Sequence, residues 1–168
     1  MREKKEKLPH RSNLDVLIRG KLRREKDKRS LVNWEERKKG WLSQIGDLYS
    51  DIDSWFKPFD GDIKVERWEI GIDEEYIGSY RAPAMKIKVG AEYVTLMPRG
   101  TLIIGGYGRV DMAGLDGEAI LLLLPKRDVK EVSIENCSWH VATRSSKHDP
   151  IPLDKNTFAS ALESIMKK

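Results

Sequence analysis

The sequence predicts an α+β fold, and three observations predict it. Apolar residues recur at helical spacing over 33–56, switch after Gly61 to short runs of period 2 punctuated by Gly and Pro, and return to helical spacing only at the C-terminus. Helices and strands are thus segregated along the chain, the pattern of α+β architecture rather than of a parallel α/β sheet. The chain has 168 residues, 39% hydrophobic and 35% charged, with a mean hydropathy of −0.56. This suits one globular, heavily charged domain with a single core. The expected organisation is a basic N-terminal arm over 1–30 and one domain over 31–168. In that domain a long Trp-rich helix packs on an antiparallel sheet of about six strands, with a C-terminal helix closing the chain.

The arm holds most of the charge asymmetry. Residues 1–30 carry twelve Lys/Arg against five Asp/Glu, whereas the other 138 carry nineteen against twenty-two. Leu14, Leu17, Ile18 and Leu22 lie at helical spacing behind a cap at Ser12 or Asn13, so the arm contains a short amphipathic helix, interrupted by Gly20. An isolated helix of this length is marginal in water and needs a surface to pack on. Arg23, Arg24, Lys26 and Arg29 are its candidate binding cations. A concentrated basic arm neutralises phosphates, docks on an acidic partner, or stays solvated.

Asn33 followed by Glu36 reads as a capping-box variant that opens a helix to about Phe56, and Pro58 and Gly61 end it. Trp34, Trp41, Ile45, Leu48, Ile52 and Trp55 form one apolar stripe, which is core chemistry. Gly40 and Gly46 each cost roughly 1 kcal/mol relative to alanine, so packing must hold this helix.

Strands are expected near 62–72, 84–89, 92–97, 101–112, 118–124 and 136–143, with tight hairpins at Gly90-Ala91 and at 113–117. The acidic run Asp73-Glu74-Glu75 reads as a solvated loop. The final helix starts at about 155, capped by Asp154, with Phe158, Leu162, Ile165 and Met166 as its apolar face.

The stretch GTLIIGGYGRVDMAG, 100–114, holds five glycines. It lacks the third glycine and the following helix of a dinucleotide fingerprint, and the Lys-Ser/Thr of a P-loop. Written with period 2, it places Leu102, Ile104, Gly106, Gly108, Val110 and Met112 on one face, so the glycines admit a bulky neighbour. Trp41 and Trp55 are the bulky candidates, and these two rings are expected to rest over Gly106 and Gly108. The other face gathers Tyr107 and Arg109 with Lys86, Lys88, Tyr93, Thr95 and His140. Aromatics that stack bases beside cations that meet phosphates make such a face a candidate platform for nucleic acid, and an ordinary solvated sheet face looks the same. The run AILLLL, 119–124, is apolar on both faces and is expected to be central and covered twice, by the closing helix or by a partner chain, with a homo-oligomer through 118–124 as one form of that cover.

Other chemistries fare less well. Cys137 and His140 are an odd number of residues apart on a strand and point to opposite faces, so with His148 and Asp149 they do not converge on zinc. Asp111 followed by Asp128-Val129-Lys130 resembles the D…D-x-K pattern of restriction-enzyme-like nucleases, but the hairpin would hold the two aspartates on the order of 30 Å apart. The catalytic alternative is a metal-independent ribonuclease in which His140 supplies general acid–base chemistry while Arg109, Thr143 and Arg144 meet the phosphorane charge. Nothing in the sequence asks for a metal or cofactor. Cys137 alone forms no internal disulfide and is expected in the core; with no apolar signal segment and no membrane-length run, a cytoplasmic location is expected. The favoured reading is a non-catalytic binding or accessory protein whose arm and sheet face engage protein or nucleic acid.

Overall fold

The structure is a computed structural model that describes residues 13–144 and 149–166, without the side chains of residues 28–30. The chain divides into two units, one ending at Asn33 and one starting at Trp34. In the first, α1 (Asn13–Leu31) runs straight through Gly20. Its apolar positions are solvent-exposed, with Leu14, Leu17, Ile18 and Leu22 between 47% and 65% accessible.

The second unit is the expected α+β domain. Helix α2 (Trp34–Phe56) leads through a short 3-10 turn into β1 (Ile63–Glu74), β2 (Gly78–Val89), β3 (Glu92–Gly100), β4 (Gly108–Ala113), β5 (Glu118–Pro125), β6 (Cys137–Ala142) and β7 (Ile151–Pro152), and α3 (Lys155–Ile165) closes the domain. The seven strands form one antiparallel sheet in which spatial order equals chain order. The strand beyond the expected six is the two-residue β7, which pairs with His140 and Val141.

One hydrophobic core lies between the two helices and one face of the sheet. Trp41, Ile45, Leu48, Tyr49 and Ile52 of α2 are buried against Met85, Ile87, Val94, Leu96, Val110, Met112, Leu121 and Leu123. Phe158 of α3 joins them and meets the rings of Trp55 and Phe56 at 5.3 and 6.2 Å. The cap of α3 is the one the sequence predicts: the Asp154 carboxylate accepts from the Asn156 and Thr157 backbone N–H groups, and the Thr157 hydroxyl accepts from the Asp154 N–H.

Close approach accounts for glycines inside two of these elements. At Gly108 a Cβ would sit 2.1 Å from Cζ3 of Trp41, so the indole lies directly on the strand backbone as the period-2 reading expects. At Gly40 a Cβ would meet Ile134 at 2.4 Å, which explains why this helix tolerates a glycine in its middle.

Elsewhere the expectations need correction. The strand predicted over 101–112 begins only at Gly108, because residues 101–107 form an irregular loop with Gly105 at φ +75°. Alternation fails there: Leu102 and Ile104 are exposed, and Gly106 faces Ile103 rather than Trp55, which packs on Phe158. Strand β2 starts before Pro83, where the sequence suggests a boundary. Pro83 pairs only with Glu69 of β1, and β2 gains its β3 neighbour from Met85 onward, so the missing N–H breaks no ladder on that side.

The run Asp73-Glu74-Glu75 is not a solvated loop either. Glu74 ends β1, is 8% exposed, and accepts from the Thr101 N–H and Leu102 N–H (both 2.9 Å), the Thr101 hydroxyl and the Tyr80 hydroxyl. These four donors give the buried side-chain oxygens the partners that burial of a polar group requires. Gly100, at φ +128°, leaves the space that this carboxylate fills.

Candidate functional site

The helices cover one face of the sheet, and the opposite face is built from the alternate residues of each strand. Its rows follow from the register. Lys64, Lys88 and Tyr93 stand side by side, as do Glu66, Lys86, Thr95, Ala113 and Glu118; farther along lie Asp111, Ile120 and Ala142, then Arg109, Leu122, His140 and Pro152. Lys86, Lys88, Tyr93, Thr95, Arg109 and His140 therefore share a face, as their positions in the sequence suggest.

Tyr107 does not join them. It precedes β4, and the Arg37 guanidinium of α2 lies 4.5 Å from its ring centroid while its hydroxyl donates to the Val132 carbonyl. The loop that delays the strand to Gly108 turns this ring to the helix side. Arg37 itself, whose Nη2 donates to the Thr101 carbonyl at 2.7 Å, belongs to this cluster with Trp34 and Tyr76, stacked 5.0 Å apart. Only the three-residue spacing of Trp34 and Arg37 on one helix signals it in the sequence.

At one end of the open face three lysines, Lys64, Lys86 and Lys88, stand in adjacent rows. Lys86 Nζ lies 4.8 Å from the Tyr93 ring centroid, a cation–π geometry, and Tyr93 is 46% exposed. Glu66, hydrogen-bonded to Lys64, has its carboxyl held below the ordinary range, first by that bond and by the Lys64 charge, and further by Lys86 and Lys88.

At the other end the side chains change character. Asp111 is shared between Arg99 Nε at 2.7 Å and Arg109 Nε at 2.6 Å. Beside Arg109, Ile120 and Leu122 are half-buried, and with Ala142, Thr143 and Arg144 they line a cleft of about 390 Å³. Three of the four candidate catalytic residues, Arg109, Thr143 and Arg144, thus meet in one cleft. His140 does not: Leu122 stands between it and Arg109 in the row, and it opens into a neighbouring cleft with Lys126, Arg127 and Asp149. Its Nδ1 lies 3.1 Å from the Ser138 carbonyl.

Cys137 points into the core, as its parity with His140 predicts; burial pushes its thiol up to about 11, against a smaller opposing pull from the Arg37 charge. His148, one of the four residues weighed for zinc, lies outside the described residues. On α1, Arg23, Arg24 and Lys26 are exposed, and the Arg29 side chain lies outside the described residues. Among the described residues no helix is long and apolar enough to cross a membrane. The doubly apolar strand β5 is covered on its Ala119, Leu121 and Leu123 side by the core, while Ile120, Leu122 and Leu124 remain half-buried on the open face. Compared with known protein families, curated proteins and solved structures, the chain matches none.

Proposed function

We propose that this chain is a non-catalytic binding module that engages nucleic acid through the cations of α1 and the lysine-rich end of its open sheet face. The observation that carries the reading is the row Lys64–Lys88–Tyr93 with Lys86 over the same ring. It offers an exposed aromatic for a base to stack on, with the ammonium groups of Lys88 and Lys86 beside it for a flanking phosphate, and no helix of the second unit covers that face. Arg23, Arg24, Lys26 and Arg29 add a second set of cations on a helix.

The test is a salt series of fluorescence-anisotropy titrations with mixed-sequence single-stranded RNA and DNA. The intact protein is expected to bind with a steep negative slope of log K against log salt. Replacing Arg23, Arg24, Lys26 and Arg29 by Gln flattens that slope by roughly 0.7 for each phosphate no longer neutralised. Tyr93→Ala weakens binding by about 1–3 kcal/mol while leaving the slope unchanged. If the intact protein fails to bind at low salt, the reading falls.

A second reading, a protein partner, is favoured by the exposed Leu14, Leu17, Ile18 and Leu22 of α1, which form the apolar side of a basic amphipathic helix. It predicts a complex that survives high salt and is lost on Leu17→Glu/Leu22→Glu. The ribonuclease reading needs His140 and Arg109 at one phosphodiester, and Leu122 between them weighs against it.

A further inference from the structure

The apolar side of β5 on the open face has no part in the proposed nucleic-acid binding. A solvated strand would carry polar residues at Ile120 and Leu122, yet these half-buried side chains, with Ala142, floor a cleft of about 390 Å³, the size of a small-molecule site. Arg109 lies beside Leu122 in the register. Its Nε is held by Asp111, which also takes Arg99, so two guanidinium groups share one carboxylate and one positive charge is left over. With its Nε clamped, Arg109 keeps its Nη donors for a second anion, and a guanidinium presents them as a planar fork suited to a carboxylate. Glu118 lines the same cleft and pairs with Ala113, four residues along β5 from Leu122, or about 13 Å at 3.3 Å per residue.

We infer that this cleft binds a small monocarboxylate with an apolar body, the aliphatic or aryl part lying on Ile120 and Leu122 and the carboxylate received by Arg109. Glu118 at the far end repels a second carboxylate, which selects a monoacid. Thr143 and Arg144 close the cleft from the segment after β6. A second copy of the chain is a poorer occupant. A stable protein interface covers about 800 Å² per partner, whereas the apolar floor here is bounded by the charged Glu118, Asp111, Arg99 and Arg144. The inference stands independently of nucleic-acid binding, which uses the other end of the face.

The experiment titrates octanoate into the intact protein and follows the methyl resonances of Ile120, Leu122 and Ala142, with 1-octanol as the neutral probe of the same apolar body. The expected result is a saturable shift confined to those methyls, at least tenfold weaker with octanol. In Arg109→Gln, octanoate binding falls to the octanol level while the remaining spectrum keeps its dispersion. Should that variant fail to fold, Leu122→Glu, a surface-facing change, is expected to abolish octanoate binding by placing a carboxylate on the floor. The absence of a saturable shift, equal binding of both probes, or shifts centred on the exposed Leu102 and Ile104 instead would each overturn the inference.

Discussion

The Trp41 indole rests on the backbone of Gly108, so close that a Cβ on residue 108 would lie 2.1, 2.4 and 2.8 Å from three of its ring carbons. This packing fixes the height of α2 above β4. Trp41 is fully buried and also meets Trp139 of β6 at 5.9 Å between ring centroids, so one indole ties the helix to strands on both sides of β5.

Gly108→Ala is therefore expected to destabilise the second unit by about 1–3 kcal/mol, because the added methyl must push the indole away. Trp41→Ala should cost more, about 3–5 kcal/mol, by emptying the same space. In the double variant the alanine methyl enters the vacated volume, so its cost should be less than the sum of the two. Urea unfolding of the four proteins measures this, and strict additivity would show that the two residues do not bear on each other.

Glu74 gathers the loop after β3. Glu74→Ala leaves the Thr101 and Leu102 N–H groups and the Tyr80 hydroxyl without their acceptor, at a cost of roughly 1–3 kcal/mol for each group that stays buried. Glu74→Gln keeps one acceptor oxygen and should be milder. Amide exchange at Thr101 and Leu102 is the direct readout: it should accelerate more than exchange in β5, whereas an equal rise across the sheet would mean only a general loss of stability.

Burial holds the Cys137 thiol up to about 11, from an ordinary value near 9. At pH 8 the folded protein should react with a disulfide reagent far more slowly than the urea-unfolded chain, because both thiolate fraction and access are reduced. A folded pKa above the unfolded one means that the native state holds the proton more tightly. The thiol's contribution to stability is thus intact below about pH 9 and is lost progressively as pH rises toward 11. Cys137→Ala should remove that part of the alkaline decline, and an unchanged decline would assign it to the buried Tyr49 and the half-buried Tyr80, whose hydroxyls burial also pushes upward.

The parts of this fold legible in the sequence are those in which periodicity and packing agree. The α2 stripe, the Gly90 hairpin, the Asp154 cap and the seating of Trp41 on Gly108 all follow from local spacing that the core then satisfies. The errors lie where a nonlocal partner decides the structure. Glu74 looks solvated until Thr101 and Tyr80 reach it, and alternation over 101–107 describes a strand until that loop closes over Glu74. The open face is legible by parity for Lys86, Lys88, Tyr93 and Arg109, and Tyr107 is lost to it at the same turn. Parity also puts His140 on Arg109's face, but the number of strands between them depends on topology.

The order β1 through β7, with every strand beside its predecessor, has a consequence for how the domain is made. During synthesis α2 leaves the ribosome ahead of the sheet, and each later strand finds its partner already present, across connections that run from the tight turn at 90–91 to the segment 126–136. No strand waits with an open edge for a distant neighbour, so the entropy of closing long loops is largely avoided and assembly can proceed in step with translation. Helix α3, which emerges after all seven strands, seals the growing edge of the core: the Ile165 carbonyl accepts from the Asp116 N–H in the β4–β5 turn, and the domain locks onto its own middle.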